Sequence, residues 1–136
     1  MVKKVDDTHL QSLEKNKYIA HRFHMEIISE RNLDLADKII APDCVFHTSG
    51  GTMPVKGPEG ARNISDYDAA HFDENGVAFD HDVVLAEGDL VAFHWINTGT
   101  SKETGEAERF EGLDMVRLKD NQIVELWIEY HKVEGQ

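Results

Sequence analysis

Apolar positions in the first quarter of the chain recur with a helical period. Ile19, Phe23 and Ile27, with Leu13 and Glu30 at the margins, draw one stripe over Leu10 to Glu30, while Lys15, Lys17, Arg22 and Glu26 face water. Asn32 is positioned to cap a second, shorter helix whose buried side is Leu33, Ala36, Ile39 and Ile40. Pro42 stops it, because the residue before a proline is pushed out of helical geometry. Cys44 to His47 then reads as a short strand, and Ser49 to Thr52 and Gly57-Pro58 as turns. A third helix is expected from Pro58 or Glu59 to about Ala70, with Ile64 and Tyr67 on its apolar side.

From Val77 onward the period changes to that of strands. Val77 to Ala86, Leu90 to Thr98, Glu108 to Leu118 and Ile123 to His131 have strand composition, separated by Glu87-Gly88-Asp89, the Gly99 to Gly105 loop and Asp120-Asn121. The two short turns require antiparallel neighbours, since a parallel crossover needs a dozen or more residues. Helices followed by a curled meander of long strands predict an α+β fold, with the helices closing one face of the sheet. With 136 residues, the chain holds one domain's core, and residues 1–9 are expected as a flexible arm.

The final hairpin places one polar group among apolar ones. Val124, Leu126, Ile128 and Tyr130 form one face of the last strand, and Glu125, Trp127, Glu129 and His131 the other. A three-residue loop of Asp120, Asn121 and Gln122 sets Leu118 against Val124, Val116 against Leu126 and Asp114 against Ile128. Asp114 then lies in an aliphatic stripe facing the helices. A two-residue turn sets it beside Trp127 instead; the first register is preferred because it groups the aliphatic side chains, although the residues alone leave the second open. A carboxylate in the first position must be hydrogen-bonded, paired, protonated or wetted by a cavity, and burial raises its pKa toward neutrality, where it can exchange protons.

Three histidines and two tyrosines are pocket candidates beside it. His94 alternates with Ala92 and Ile96 on one side of its strand, leaving Phe93 and Trp95 on the other, so that His94 is placed to share a cavity with Asp114 and complete a proton relay. His47 and His81 are weaker pocket candidates, and Tyr67 and Tyr130 offer phenolic donors at the ends of apolar bodies. His21 and His24 are three apart rather than in a metalloprotease pattern, and His47, His94 and Asp114 would have to converge from separate strands to hold a metal, so no metal is expected. No serine sits in a nucleophile elbow, Cys44 has no activating neighbour, and the loop after Gly99 lacks the phosphate-cradle spacing.

Charge and cysteine count narrow the partners. The balance is −12, with 26 acidic against 14 basic residues, which disfavours nucleic acid and anionic membrane surfaces. A single cysteine excludes an internal disulfide and suits a reducing compartment. The charged N-terminal stretch does not resemble a secretory signal, and no segment approaches membrane-spanning length, so a cytoplasmic protein is expected. On the outer sheet face, Trp127 and Trp95 would make an apolar patch that a symmetric homodimer could cover.

Several segments resemble the SnoaL-like polyketide cyclases, within the wider group sharing the nuclear transport factor 2-like fold. They are Ala86-Glu87-Gly88-Asp89-Leu90, Thr98-Gly99-Thr100, Phe110-Glu111-Gly112-Leu113-Asp114-Met115 and Gln122-Ile123-Val124-Glu125-Leu126-Trp127, with Ala41-Pro42-Asp43-Cys44 and Gly57-Pro58-Glu59-Gly60 upstream. The likeness runs from about Tyr18 to His131. It implies a cone formed by a curved antiparallel sheet closed by three N-terminal helices, commonly a dimer, and cofactor-free ring closure driven by a pocket aspartate with a histidine on the preceding strand. Carried over by residue, that aspartate falls on Ile128 and that histidine on Asp114. Ile128 cannot move a proton, so the resemblance carries the architecture further than the mechanism. The expected function is cofactor-independent proton abstraction from a small, mostly apolar carbonyl compound by Asp114. A non-catalytic binding or dimeric interaction protein of the same fold is the alternative.

Overall fold

The computed structural model describes residues 7–48, 50–73 and 78–134. Helix α1 spans Asp7–Arg22 and continues without a break as a π-helical turn over Phe23–Ser29. A short 3-10 turn, Leu33–Leu35, leads into a one-turn α2, Ala36–Ile39. Strands β1 (Ile40–Thr48) and β2 (Gly51–Thr52) precede α3 (Gly57–His71). The remaining strands are β3 (Ala78–Glu87), β4 (Leu90–Thr100), β5 (Ala107–Lys119) and β6 (Gln122–Lys132). The expected arm falls partly on residues 1–6, outside the described ones, and α1 already begins at Asp7. The expected strand start at Val77 also lies outside them.

The sheet order is β2-β1-β6-β5-β4-β3. Neighbours from β3 to β6 are antiparallel, as their short turns demand, but β1 runs parallel to β6. The antiparallel cone expected from the sequence is therefore corrected to a mixed, open six-stranded sheet, in which β2 and β3 form the two edges. The turn argument governs only strands joined by hairpins. Nothing local constrains β1, whose partner lies at the other end of the chain. Pro42 also sits inside β1 rather than ending a helix, since β1 already begins at Ile40.

One face of the sheet is covered by helix. Ile19, Phe23 and Ile27 of the predicted stripe are buried together with Phe46, Phe93, Val116 and Leu126 from four strands. Burial of such side chains stabilises by roughly 1.5–3 kcal/mol each. The π-helical turn shifts the phase of the stripe, so that His24 and Ile28 are buried as well. Ser65 of α3 is fully buried and donates to the Ile27 carbonyl at 3.0 Å, tying α3 to that turn. Pro58 in the first turn of α3 fits the helix start, and Gly60 lets the helix approach the Phe46 ring, where a Cβ would collide. Among the described residues no helix is long and apolar enough to cross a membrane.

The last hairpin reaches the expected register by another route. Lys119 pairs with Gln122, so the turn has two residues, Asp120 and Asn121, both left-handed with φ of 52° and 65°. This is the primed geometry that matches strand twist, and Asp and Asn tolerate it. A bulge at Val124 then restores the pairing of Val116 with Leu126 and of Asp114 with Ile128.

Candidate functional site

Between helix and sheet lies a cavity of about 750 Å³. Its floor is made of cross-strand rows. Asp114, Ile128 and Thr48 form one row across β5, β6 and β1, continued outside the lining by Phe93 of β4, which pairs with Asp114. The next is Trp95, Gly112 and Tyr130, with His81 of β3 paired to Trp95 outside the lining, and the third is Phe79, Asn97, Phe110 and Lys132. Phe23, His24 and Ile28 from the π-helical turn, with Ile64, Tyr67 and Asp68 from α3, complete much of the wall. The lining is chiefly aromatic and aliphatic with a few convergent polar groups, and its size suits a ligand of one to several rings.

Asp114 is 3% exposed and opens onto this cavity. The Trp95 indole Nε1 donates to its Oδ1 at 2.9 Å. That reach depends on Gly112, which pairs with Trp95: a Cβ there would lie within 2.6 Å of the indole Nε1 and closer still to the ring carbons. The glycine thus leaves room for the indole to lie across β5 toward the carboxylate two residues further on. Burial pushes the Asp114 carboxyl up to about 7, against the opposing pull of the Trp95 N–H. At neutral pH the group is poised between its acid and base forms.

The residues predicted for the site divide between the two faces. Asp114, Ile128, Tyr67 and Tyr130 line the cavity together. His94 does not: it points to the opposite face, where its Nδ1 meets Asp82 Oδ1 at 2.6 Å. The correction follows from β4's alternation. Phe93 and Trp95 bury more apolar surface than Ala92 and Ile96, and they take the helix side with Val91 and Asn97. The same inversion removes Trp95 from the outer face. His47 also lies outside, bonded to Glu125 Oε2 at 2.7 Å and stacked on Trp127, while its neighbour Thr48 lines the cavity. His81 stands behind the wall rather than in it, with its Nε2 2.6 Å from Nδ1 of His24, which does line the cavity. His21 Nδ1 is 3.3 Å from the other His81 nitrogen. Burial holds His24 well below the usual imidazole range and His81 down to about 4, so both are neutral near pH 7. Among the described residues no three His, Cys, Asp or Glu side chains are grouped to hold a metal ion.

Among the cavity residues that the sequence did not point to are His24, Asp68 and Asn97. His24 is hidden because an α-helical period places Phe23 and Ile27 inward, and only the π-helical turn adds the position after each. Asp68 follows Tyr67 on α3, and its carboxyl is raised to about 6 by burial, with His71 opposing. Asn97 is 3% exposed, and among the described residues its Oδ1 is the buried side-chain oxygen or nitrogen left with no hydrogen-bond partner. Such an oxygen costs about 1–3 kcal/mol unless something satisfies it. The available signal for Asn97 was alternation with Phe93 and Trp95, had those been placed inward. Cys44 is buried, and burial pushes its thiol up to about 12, which leaves it without nucleophilic character.

Comparison with known proteins agrees with this architecture. No curated protein matches the chain. A solved structure described as a candidate polyketide cyclase from Acidithiobacillus ferrooxidans is 28% identical, with a TM-score of 0.72 covering 85% of this chain and 87% of that one. Two more distant structures share the fold. A candidate SnoaL-like polyketide cyclase from Jannaschia sp. CCS1 is 17% identical, with a TM-score of 0.75 covering 96% and 91% of the two chains. An LEH-like epoxide hydrolase from M. tuberculosis is 11% identical, with a TM-score of 0.69 covering 88% and 85%. The family model for the SnoaL-like domain matches residues 20–126. That span carries the π-helical turn, Trp95, Gly112 and Asp114, and the chain belongs to the SnoaL-like domain family.

Proposed function

We propose that this protein is a cofactor-independent enzyme that moves a proton at the carbon next to a carbonyl in a small, mostly apolar compound, as an isomerase or cyclase does. The observation that carries the reading is Asp114, a carboxyl with a pKa of about 7 opening onto an apolar cavity. A base poised near the working pH combines the right protonation state with sufficient driving force, and is worth about 10²–10⁴-fold in rate. Ile128 occupies the place the resemblance gives to a cyclase aspartate, so the base acts from β5, across the hairpin.

The electrophilic partner must come from the cavity rather than from His94. His24 and Tyr130 flank the Trp95 ring that holds Asp114, with centroids 5.3 Å and 6.1 Å from it. His24 is kept neutral and Tyr130 is kept protonated, its pKa raised by burial and by Tyr67 and Asp68. Each can therefore donate a hydrogen bond to an enolate oxygen as charge develops there. In the forward step Asp114 takes the α-proton and the C–H electron pair moves into the enolate; in an isomerisation the same carboxyl returns the proton at a second carbon of a conjugated enolate, and in a ring closure the enolate carbon attacks a second carbonyl, whose π pair moves onto its oxygen and takes the proton back from Asp114. The test is exchange of α-protons for deuterium in a panel of aryl methyl ketones and β-keto esters. Exchange by the wild type that rises with pH through about 7 and disappears in Asp114→Asn supports the reading. Turnover unchanged in Asp114→Asn refutes it. A copurifying ligand recovered unchanged, with no exchange, would favour the binding-protein alternative, for which Ile128 is the supporting residue.

The reading includes a second copy of the chain on the outer sheet face, in the same cytoplasmic setting. Leu85, Ala92, Met115, Trp127 and His47 form one row across five strands there, and Leu113 is exposed beside it. Light scattering checks this: the wild type is expected as a dimer and Trp127→Lys as a smaller species, and equal sizes would remove the dimer from the proposal.

A further inference from the structure

We propose that Asn97 is the specificity residue of the cavity, and that it selects ligands carrying a hydroxyl at the end remote from the reacting carbonyl. The inference deepens the proposed function and rests on its placing of the carbonyl at Asp114. Three observations support it. Asn97 lines the cavity, and its Oδ1 is buried and unpartnered among the described residues. The rows fix its separation from the base: Asn97 pairs with Phe110, four residues before Asp114 on β5, which is about 13 Å along the strand. Between these two polar points the floor is aromatic and aliphatic, with Trp95 and Tyr130 in the intervening row and Phe79 and Phe110 flanking Asn97.

A ligand bridging them therefore has an apolar, ring-sized body with polar groups at its two ends. The remote group must donate to Oδ1. A hydroxyl does so, and it can also accept from the amide nitrogen, which makes it the group that suits either orientation of the carboxamide. A site built to bond a hydroxyl discriminates strongly against the analogue lacking it, because its own buried polar atom is then left unpaired. Asn97 thus binds substrate without taking part in proton transfer.

The probes are 2-acetonaphthone and 6-hydroxy-2-acetonaphthone, two fused rings bearing a methyl ketone, with and without a hydroxyl at the far end. Binding is read by quenching of Trp95 fluorescence, and exchange of the acetyl protons is followed separately. The wild type should bind the hydroxy ketone at least tenfold more tightly than the parent, and Asn97→Leu should bind the two equally. The thermal midpoint of ligand-free Asn97→Leu should equal or exceed that of the wild type, since the substitution removes an unpaired buried oxygen rather than a bond. Should Leu not fold, Asn97→Ala carries the same comparison. Equal binding of the two probes by the wild type, a preference that survives in the variant, or no binding of either probe overturns the assignment. Exchange without a hydroxyl preference overturns the role of Asn97 alone, whereas a hydroxyl preference without exchange overturns the base reading alone.

Discussion

Adjacent residues of β4 hold two carboxylates, one on each face of the sheet, and the outcomes are opposite. On the helix side the Trp95 N–H meets Asp114 at 2.9 Å, and on the other side His94 meets Asp82 at 2.6 Å. Both carboxylates accept a hydrogen bond from a ring nitrogen. Asp114 is nevertheless raised to about 7, while the His94 bond lowers Asp82 from its ordinary value. The difference lies in solvent. Burial penalises the Asp114 anion by more than one neutral donor returns, whereas Asp82 sits exposed on a bulge of β3. A donor alone therefore does not decide where a carboxyl titrates here, and burial against the cavity does.

The largest effect expected from breaking this contrast is catalytic. Asp114→Asn should lower α-proton exchange by about 10²–10⁴-fold, and Asp82→Asn should leave it unchanged. Exchange assays on the two variants side by side check both halves.

The next effect is on stability. Below about pH 4 folded and unfolded chains both carry a protonated Asp114. Between there and about 7 the unfolded chain releases the proton and the folded one retains it, so this group's contribution is lost as pH rises through that window. A rise of about 3 pKa units corresponds to at most about 4 kcal/mol. Urea titrations should show Asp114→Asn more stable than the wild type at pH 8, with the advantage gone at pH 4. His24 and His81 act in the opposite sense. Their lowered pKa values mean that below the ordinary 6.5 the unfolded chain takes up protons the folded chain refuses, so stability is lost as pH falls. The His24→Leu variant should lose less stability between pH 7 and pH 5 than the wild type does.

A third variant sharpens the role of the donor. Gly112→Ala forces the indole off β5 and should cost about 1–3 kcal/mol by urea titration, as overpacking does. With the Trp95 bond gone, the Asp114 midpoint should move above the wild-type value. On the outer face, His94→Ala should leave both exchange and the Asp114 midpoint unaltered, which is the smallest effect of the set.

What the chain made legible follows the same division. The helical stripe, the four long strands and the inward place of Asp114 were readable because each rests on a clear period. The place of Asp114 was correct despite a mistaken turn: a two-residue turn and a bulge at Val124 together restore the register that a three-residue loop would have produced. β4 could not be oriented this way, since Ala92 and Ile96 are apolar on one side and Phe93 and Trp95 on the other. Choosing the smaller pair as the core side put His94 in the cavity and Trp95 outside it. His24 depends on a π-helical turn, and the parallel pairing of β1 on contacts far along the chain. Neither leaves a local periodic signature.

The most direct test of the central claim is a pH titration of the Asp114 side-chain carbon by ¹³C NMR, using Asp114→Asn to assign the signal. The account predicts a midpoint near 7. A midpoint at the ordinary carboxylate value of about 4 would contradict it.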